Sequence, residues 1–163
     1  MQQTEINKEI SYHLDKGYLY FTERPAVVGA VVGSCACVCI WDKYRMCGGM
    51  SHYIYPYTTD KSRATPEFGN VATRTLIRMF RETNSAAEDL QAHIIGGGSP
   101  EHDTTDLIGK KNIDVARNIL RKENIRIVSE DVSGTMGRKI LFDLGTGQIA
   151  VFKVHHIRKQ DWV

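Results

Sequence analysis

All four cysteines of the chain and one of its six histidines fall within a short stretch, GSCACVCIWDKYRMCGGMSH, from Gly33 to His52. Residue types this close together can do several kinds of chemistry. They can hold a metal, cycle as a redox pair, act as nucleophile and base, or pack as small apolar groups. A structural zinc site wants C-x₂₋₄-C pairs, with a second pair further on. Here the first three cysteines follow a C-x-C-x-C spacing, and no second pair of that kind exists; Cys47 and His52 are the only further ligands at hand. The C-x-x-C of thiol–disulfide exchange is absent. Cys37 and Cys39 sit inside an apolar run and Cys47 beside a glycine pair, where a free cysteine packs like a small hydrophobe. Cys35 differs, because it follows Gly33-Ser34 where the apolar run restarts. A thiol needs a base or a cationic neighbour to act as a nucleophile, and a hairpin turning at "DKYR" brings His52 back toward it. From these residues alone, core packing and a Cys35–His52 pair both remain open.

The elements that must position this stretch can be read from pattern. "AVVGAVVG" (26–33) and "CACVCIW" (35–41) are apolar and β-rich, "DKYR" (42–45) is a polar turn, and "MCGGMSHYIY" (46–55) returns as a strand. The Gly pair in that strand suggests a bulge or a close backbone approach. "YLYFT" (18–22), "LQAHII" (90–95), "IRIVSEDV" (125–132), "RKILFDL" (138–144) and "QIAVFKV" (148–154) read as further strands, the last two joined by a Gly145-Thr146-Gly147 turn. Thr65-Pro66-Glu67 is a helix start, and Phe68, Ala72, Leu76, Met79 and Phe80 follow at helical spacing. "KNIDVARNILRKEN" (111–124) is a second helix, with Ile113, Ala116, Ile119 and Leu120 inward and Asn124 as its stop. The pattern predicts an α/β (α+β) layered sandwich, with mixed sheets and helices packed on their faces, in a single domain. Residues 1–16 read as a mobile N-terminal arm, 17–157 as the folded domain and 158–163 as a C-terminal tail.

Composition limits what such a domain does. The chain has 163 residues, 42% hydrophobic and 25% charged, with a net charge of +2. Lysines and arginines form no run, which argues against a nucleic-acid surface or a polybasic membrane patch. No apolar run is long enough to span a bilayer, and the first 18 residues have no signal-peptide character. The expected address is the cytoplasm, where thiols stay reduced. "GGGS" (96–99) lacks the Lys-Ser/Thr ending of a phosphate loop and reads as a turn near the site. Ser34 reads first as a turn residue beside glycine. His93 reads as a core residue, and His13, His102, His155 and His156 as surface.

The order of blocks resembles the CheD family of chemoreceptor glutamine deamidases. "GSCACVCIWD" is similar to the family's glycine-serine-cysteine block, and "GGMSHYIYP" to its histidine block. "FGNVATRTLI", "AHIIGGGS", "NIDVARNILRKENIRIVSEDVSG" and "LGTGQI" follow in the family's order, so the resemblance covers roughly residues 17–155. It implies a Cys–His hydrolase fold akin to the catalytic domains of certain toxin deamidases, with Cys35 as nucleophile, His52 as general base and Ser34 in the oxyanion loop. It implies no cofactor and no metal. The implied substrate is a chemoreceptor glutamine side chain, and the phosphatase CheC is an implied partner; a regulatory binding module for CheC is the alternative function. One departure stands out. Family members often carry a Thr shortly before this block that helps orient the histidine, whereas Val28, Gly29, Ala30 and Val31 offer no hydroxyl here. A backbone carbonyl is the expected substitute.

Overall fold

The computed structural model describes residues 9–99 and 107–155, and the C-terminal tail lies outside them. Among the described residues, nine strands and two α-helices occur in the order β1 (Tyr12–His13), β2 (Tyr18–Thr22), β3 (Val27–Val32), β4 (Ala36–Asp42), β5 (Cys47–Tyr53), α1 (Gly69–Glu82), β6 (Leu90–Gly96), α2 (Ile108–Lys122), β7 (Arg126–Val132), β8 (Gly137–Asp143) and β9 (Ile149–Val154). They build two sheets, ordered β1-β3-β8-β9 and β2-β5-β4-β6-β7. Both are mixed, since β1 runs parallel to β3 and β6 parallel to β7. The expected sandwich is present as three layers, with both helices on the outer face of the five-stranded sheet.

The continuous apolar run of β4 follows from this layering. Cys37 and Cys39 point between the sheets, beside Val28, Val32, Met50 and Phe142. Ala36, Val38 and Ile40 point the other way, against Leu76, Phe80 and Leu120 of the helices. A strand buried on both faces has no polar positions to alternate with. The "DKYR" hairpin also has a clear cause. Asp42 is fully buried, its carboxylate accepts the N–H groups of Tyr44 and Arg45 at 2.9 Å each, and it takes the Ser85 hydroxyl as well. The glycine pair in β5 marks a close approach: a Cβ on Gly49 would lie 2.7 Å from both the Leu76 side chain and the Tyr20 carbonyl.

Three segments differ from the pattern-based expectation. Helix α1 begins at Gly69 rather than at Thr65-Pro66-Glu67. The Glu67 carbonyl accepts the N–H groups of Ile54 and Tyr55 (2.9 and 3.0 Å), and this pairing holds residues 65–68 along the end of β5. The second helix starts a little earlier, at Ile108, and ends as expected, with Asn124 at φ 57° and the Ile125 N–H donating to the Leu120 carbonyl at 2.9 Å. Of the expected arm, residues 1–8 lie outside the described residues. From Glu9 on, the segment is tied to β3: Ser11 N–H donates to Val27 (2.9 Å), Leu14 N–H donates to Gly29 (2.8 Å), and Leu14 is buried between the sheets. This strap then crosses to the other sheet, where it becomes β2.

Candidate active site

Register places the candidate pair. In the β4–β5 ladder Cys37 lies opposite His52, and directly opposed residues share a face. Cys35 is two residues before Cys37 and immediately precedes β4, at the end of the sheet where that strand begins. A residue continuing the strand would be diagonal to His52, and diagonal Cα atoms in a regular ladder are about 7–8 Å apart. Cys35 is partly exposed, whereas Cys37, Cys39 and Cys47 are buried, and all four thiols are free. Cys47 pairs with Asp42 at the far end of the hairpin. It sits about 17 Å from His52 along the strand, and it packs on the helix side while His52 faces the other sheet. Among the described residues, no group of three or more His, Cys, Asp and Glu is arranged to hold a metal ion.

His52 is almost fully buried, and its Nδ1 lies 3.1 Å from the Leu14 carbonyl oxygen. A carbonyl only accepts, so Nδ1 carries the proton and Nε2 keeps its lone pair. The strap grips the same residue twice more. Gly17 N–H donates to the His52 carbonyl at 2.7 Å, and Tyr18 opposes His52 in the β2–β5 ladder. The Leu14 N–H in turn bonds to Gly29, inside the stretch that lacks a hydroxyl. Ser51 is no candidate for orienting the base: it is fully buried beside Val38 on the helix side of the sheet. Thr58 lies beyond β5 and caps a local turn by accepting the Asp60 N–H.

Burial dominates the electrostatics of the pair. It pushes the Cys35 thiol above its ordinary pKa, while the Lys16 ammonium and the residue's own backbone N–H work in the opposite direction. Burial also holds the His52 imidazole below its ordinary value; the Leu14 carbonyl and Asp15 oppose this, and Lys16 adds to it. Lys16 is exposed on the strap and acts on both groups.

The loop holding Cys35 is fastened on both sides. Gly97 N–H donates to the Cys35 carbonyl at 2.8 Å and Gly98 N–H to the Gly33 carbonyl at 2.9 Å, so "GGGS" forms part of the site wall. From the helix side, the Asn112 side-chain amide donates to the carbonyls of Ser34 and Ile54, both at 2.9 Å.

The model of the family described as CheD chemotactic sensory transduction matches residues 56–153. The chain belongs to the CheD family. A Sulfurimonas denitrificans protein named "Probable chemoreceptor glutamine deamidase CheD" is 34% identical over 140 residues, which is 84% of this chain and 90% of the relative. Proteins of the same name from Thiobacillus denitrificans and Methylobacillus flagellatus are 32% and 35% identical, over 90% and 85% of this chain and 78% and 71% of their own lengths. The solved structure of the Bacillus licheniformis hypothetical protein YfiH aligns over 72% of this chain and 51% of its own, at a TM-score of 0.48 and 15% identity. The CheD match begins just after His52, so Cys35 and His52 rest on geometry and on the motif resemblance.

Three groups at the site were not read from the sequence. Leu14 is one of three branched aliphatic residues, with Ile6 and Ile10, in an otherwise polar arm, a weak sign that the arm docks. Asn112 occupies an inward position of the α2 stripe, between Gly109 and Ile113, and a polar residue on an apolar stripe is a usable signal. Lys16 carries no sequence signal at all. Of the other histidines, His93 is in the core as expected, with Nδ1 2.6 Å from the Ser129 hydroxyl. His13 and His155 are exposed, and His102 and His156 lie outside the described residues.

Proposed function

We propose that this chain hydrolyses glutamine side-chain amides of chemoreceptors to glutamate, with Cys35 as nucleophile and His52 as general base, in the cytoplasm and without a cofactor. The curated relatives bear the name chemoreceptor glutamine deamidase. The observation that most supports the assignment is the bond from His52 Nδ1 to the Leu14 carbonyl, which leaves Nε2 as the basic nitrogen. His52 Nε2 takes the Cys35 Sγ proton as sulfur attacks the amide carbon. The carbonyl π electrons move to oxygen, and the Cys35 backbone N–H, with the Ser34 loop around it, stabilises the oxyanion. The intermediate collapses, the C–N bond breaks, and protonated His52 gives its proton to the departing nitrogen, releasing ammonia. His52 then takes a proton from water as the oxygen attacks the thioester. The C–S bond breaks, and the sulfur is reprotonated. A neutral amide has become a carboxylate, so each turnover adds one negative charge to a receptor helix. A glutamate methyl ester would pass through the same two tetrahedral species.

The alternative reading is a regulatory module for CheC with little catalysis, which the resemblance also implies; a His52 without an orienting acceptor would favour it, and the Leu14 carbonyl is such an acceptor. The deciding experiment incubates the protein with a chemoreceptor cytoplasmic domain and follows glutamine-to-glutamate conversion by mass spectrometry. Conversion should occur and should vanish in Cys35→Ala. Tight receptor binding without conversion would favour the binding module instead.

A further inference from the structure

Three consecutive carbonyls, those of Gly33, Ser34 and Cys35, are each held by a different donor. Backbone N–H groups hold the first and third, from Gly98 and Gly97. A side chain holds the middle one: Asn112 Nδ2 donates to the Ser34 carbonyl at 2.9 Å. The Ser34 carbonyl and the Cys35 N–H belong to one peptide unit. No cis bond occurs among the described residues, and in a trans peptide these two groups point in opposite directions. Asn112 lies on α2, on the helix side of the sheet, so the Cys35 N–H is turned away from the helices. That direction is toward the residue's own sulfur, which this N–H helps to stabilise as a thiolate.

The amide of Asn112 also closes the sheet. The last pair of the β4–β5 ladder is Ala36 with Tyr53. Beyond it, the second N–H of the same amide donates to the Ile54 carbonyl at 2.9 Å, so one side chain bridges both strand ends where the next rung would fall. The Tyr53 hydroxyl anchors the latch by donating to the Asn112 backbone carbonyl. Asn112 is fully buried, and its Oδ1 has no partner among the described residues. A buried acceptor left empty is costly, so this position uses asparagine for its two donors.

We propose that Asn112 is the positioning residue that locks the Ser34–Cys35 peptide with the Cys35 N–H facing the site as an oxyanion donor. The proposal rests on Cys35 being the nucleophile. Without the latch this peptide is free to rotate, which swings the N–H away and puts a carbonyl dipole where negative charge must form.

The test compares wild type, Asn112→Ala and Asn112→Asp in two reactions of the full-length protein. Deamidation of a receptor cytoplasmic domain passes through an oxyanion; alkylation of Cys35 by iodoacetamide does not. Both folded variants should lose kcat by about 10²–10³-fold, the usual effect of removing one oxyanion donor. KM and the limiting alkylation rate of Cys35 at high pH should stay as in wild type, while alkylation near neutral pH should fall only modestly and its profile move up in pH, because the displaced N–H no longer favours the thiolate. Tyr53→Phe, which deletes only the anchoring hydroxyl, should lower kcat by a smaller factor with alkylation again far less affected, and it serves if both Asn112 variants fail to fold. Wild-type kcat in any folded Asn112 variant, or in Tyr53→Phe if neither Asn112 variant folds, overturns the latch. So does a fall in alkylation as deep as the fall in kcat, which would mark general distortion. If wild type converts no glutamine, or Cys35→Ala still does, the nucleophile assignment itself fails and the latch falls with it.

Discussion

Burial disfavours charge on both members of the Cys35–His52 pair, and this sets how the site must respond to pH. The thiol is raised above its ordinary pKa and the imidazole is lowered below its ordinary 6.5. A preformed thiolate–imidazolium pair would need the opposite shifts, a thiol moved down and an imidazole moved up. The resting pair is therefore neutral, with the proton on sulfur. An ordinary thiol is about 3% thiolate at pH 7, and Cys35 is less ionised than that. Iodoacetamide should accordingly alkylate Cys35 at pH 7 at under about 3% of its limiting rate, and the rate should climb as the pH passes 9. Deamidation should behave differently, because the reactive form is the neutral pair itself. Its kcat/KM should fall only as His52 gains a proton, below pH 6.5, and should be flat from there to about pH 8. Peptide mass spectrometry of Cys35 across pH 5–10 gives the first profile and ammonia release gives the second. An alkylation rate at pH 7 already within threefold of that at pH 9.5 would reveal an ion pair at rest and refute the reasoning.

Three further outcomes are expected. Lys16→Gln should raise the pKa of both the Cys35 thiol and the His52 imidazole, since the ammonium lowers both; alkylation profiles and the NMR titration of His52 would show it. His52→Ala should abolish deamidation, whereas Ser51→Ala and Thr58→Ala should keep most of it, because neither hydroxyl faces the imidazole; a loss at Ser51 as deep as at His52 would mean that a side chain, not Leu14, orients the base. His93 is held at about 4 against an ordinary 6.5, so its stabilising effect is fully present above pH 6.5 and is lost as the pH falls toward 4. Denaturant melts should show on the order of 3 kcal/mol of pH-dependent stability over that range, and His93→Gln should lack that component.

Strands β2 to β9 were legible because their apolar runs have strand length and end at polar or glycine-rich turns, whereas the two-residue β1 lies in the segment expected to be a mobile arm. The "DKYR" hairpin was legible too, and with it the return of His52 toward Cys35. What pattern could not show was the partner of the imidazole's second nitrogen. A backbone carbonyl has no residue signature, and Leu14 is 38 positions from His52. The helix start at Thr65-Pro66-Glu67 failed for a related reason: its local signals are real, but pairing of Glu67 with the end of β5 wins. Asn124 succeeded as a helix stop because the left-handed conformation there depends only on local sterics. Asn112 was missed because the inward stripe was read for its apolar members alone.

In the proposed site a carbonyl stands where the family resemblance implies a hydroxyl, and this changes what the proposed base depends on. A threonine on β3 would orient His52 from inside a strand paired along its whole length with β8. The Leu14 carbonyl belongs to a strap whose strand is two residues long, with Leu14 itself packed between the sheets. Burying that one leucine contributes about 1.5–3 kcal/mol, and the bonds from Leu14 to Gly29 and from Gly17 to His52 add to it. The tautomer of the base is thus coupled to the docking of a short segment, and that segment also carries Lys16, the nearby cation that favours the thiolate. Acceptor and cation arrive together or not at all. The loop of the proposed nucleophile is built differently, since its three carbonyls are tied to the glycines that follow β6 and to α2. One half of the candidate pair is therefore set by the rigid core, and the other half is completed by a strap laid across the end of it.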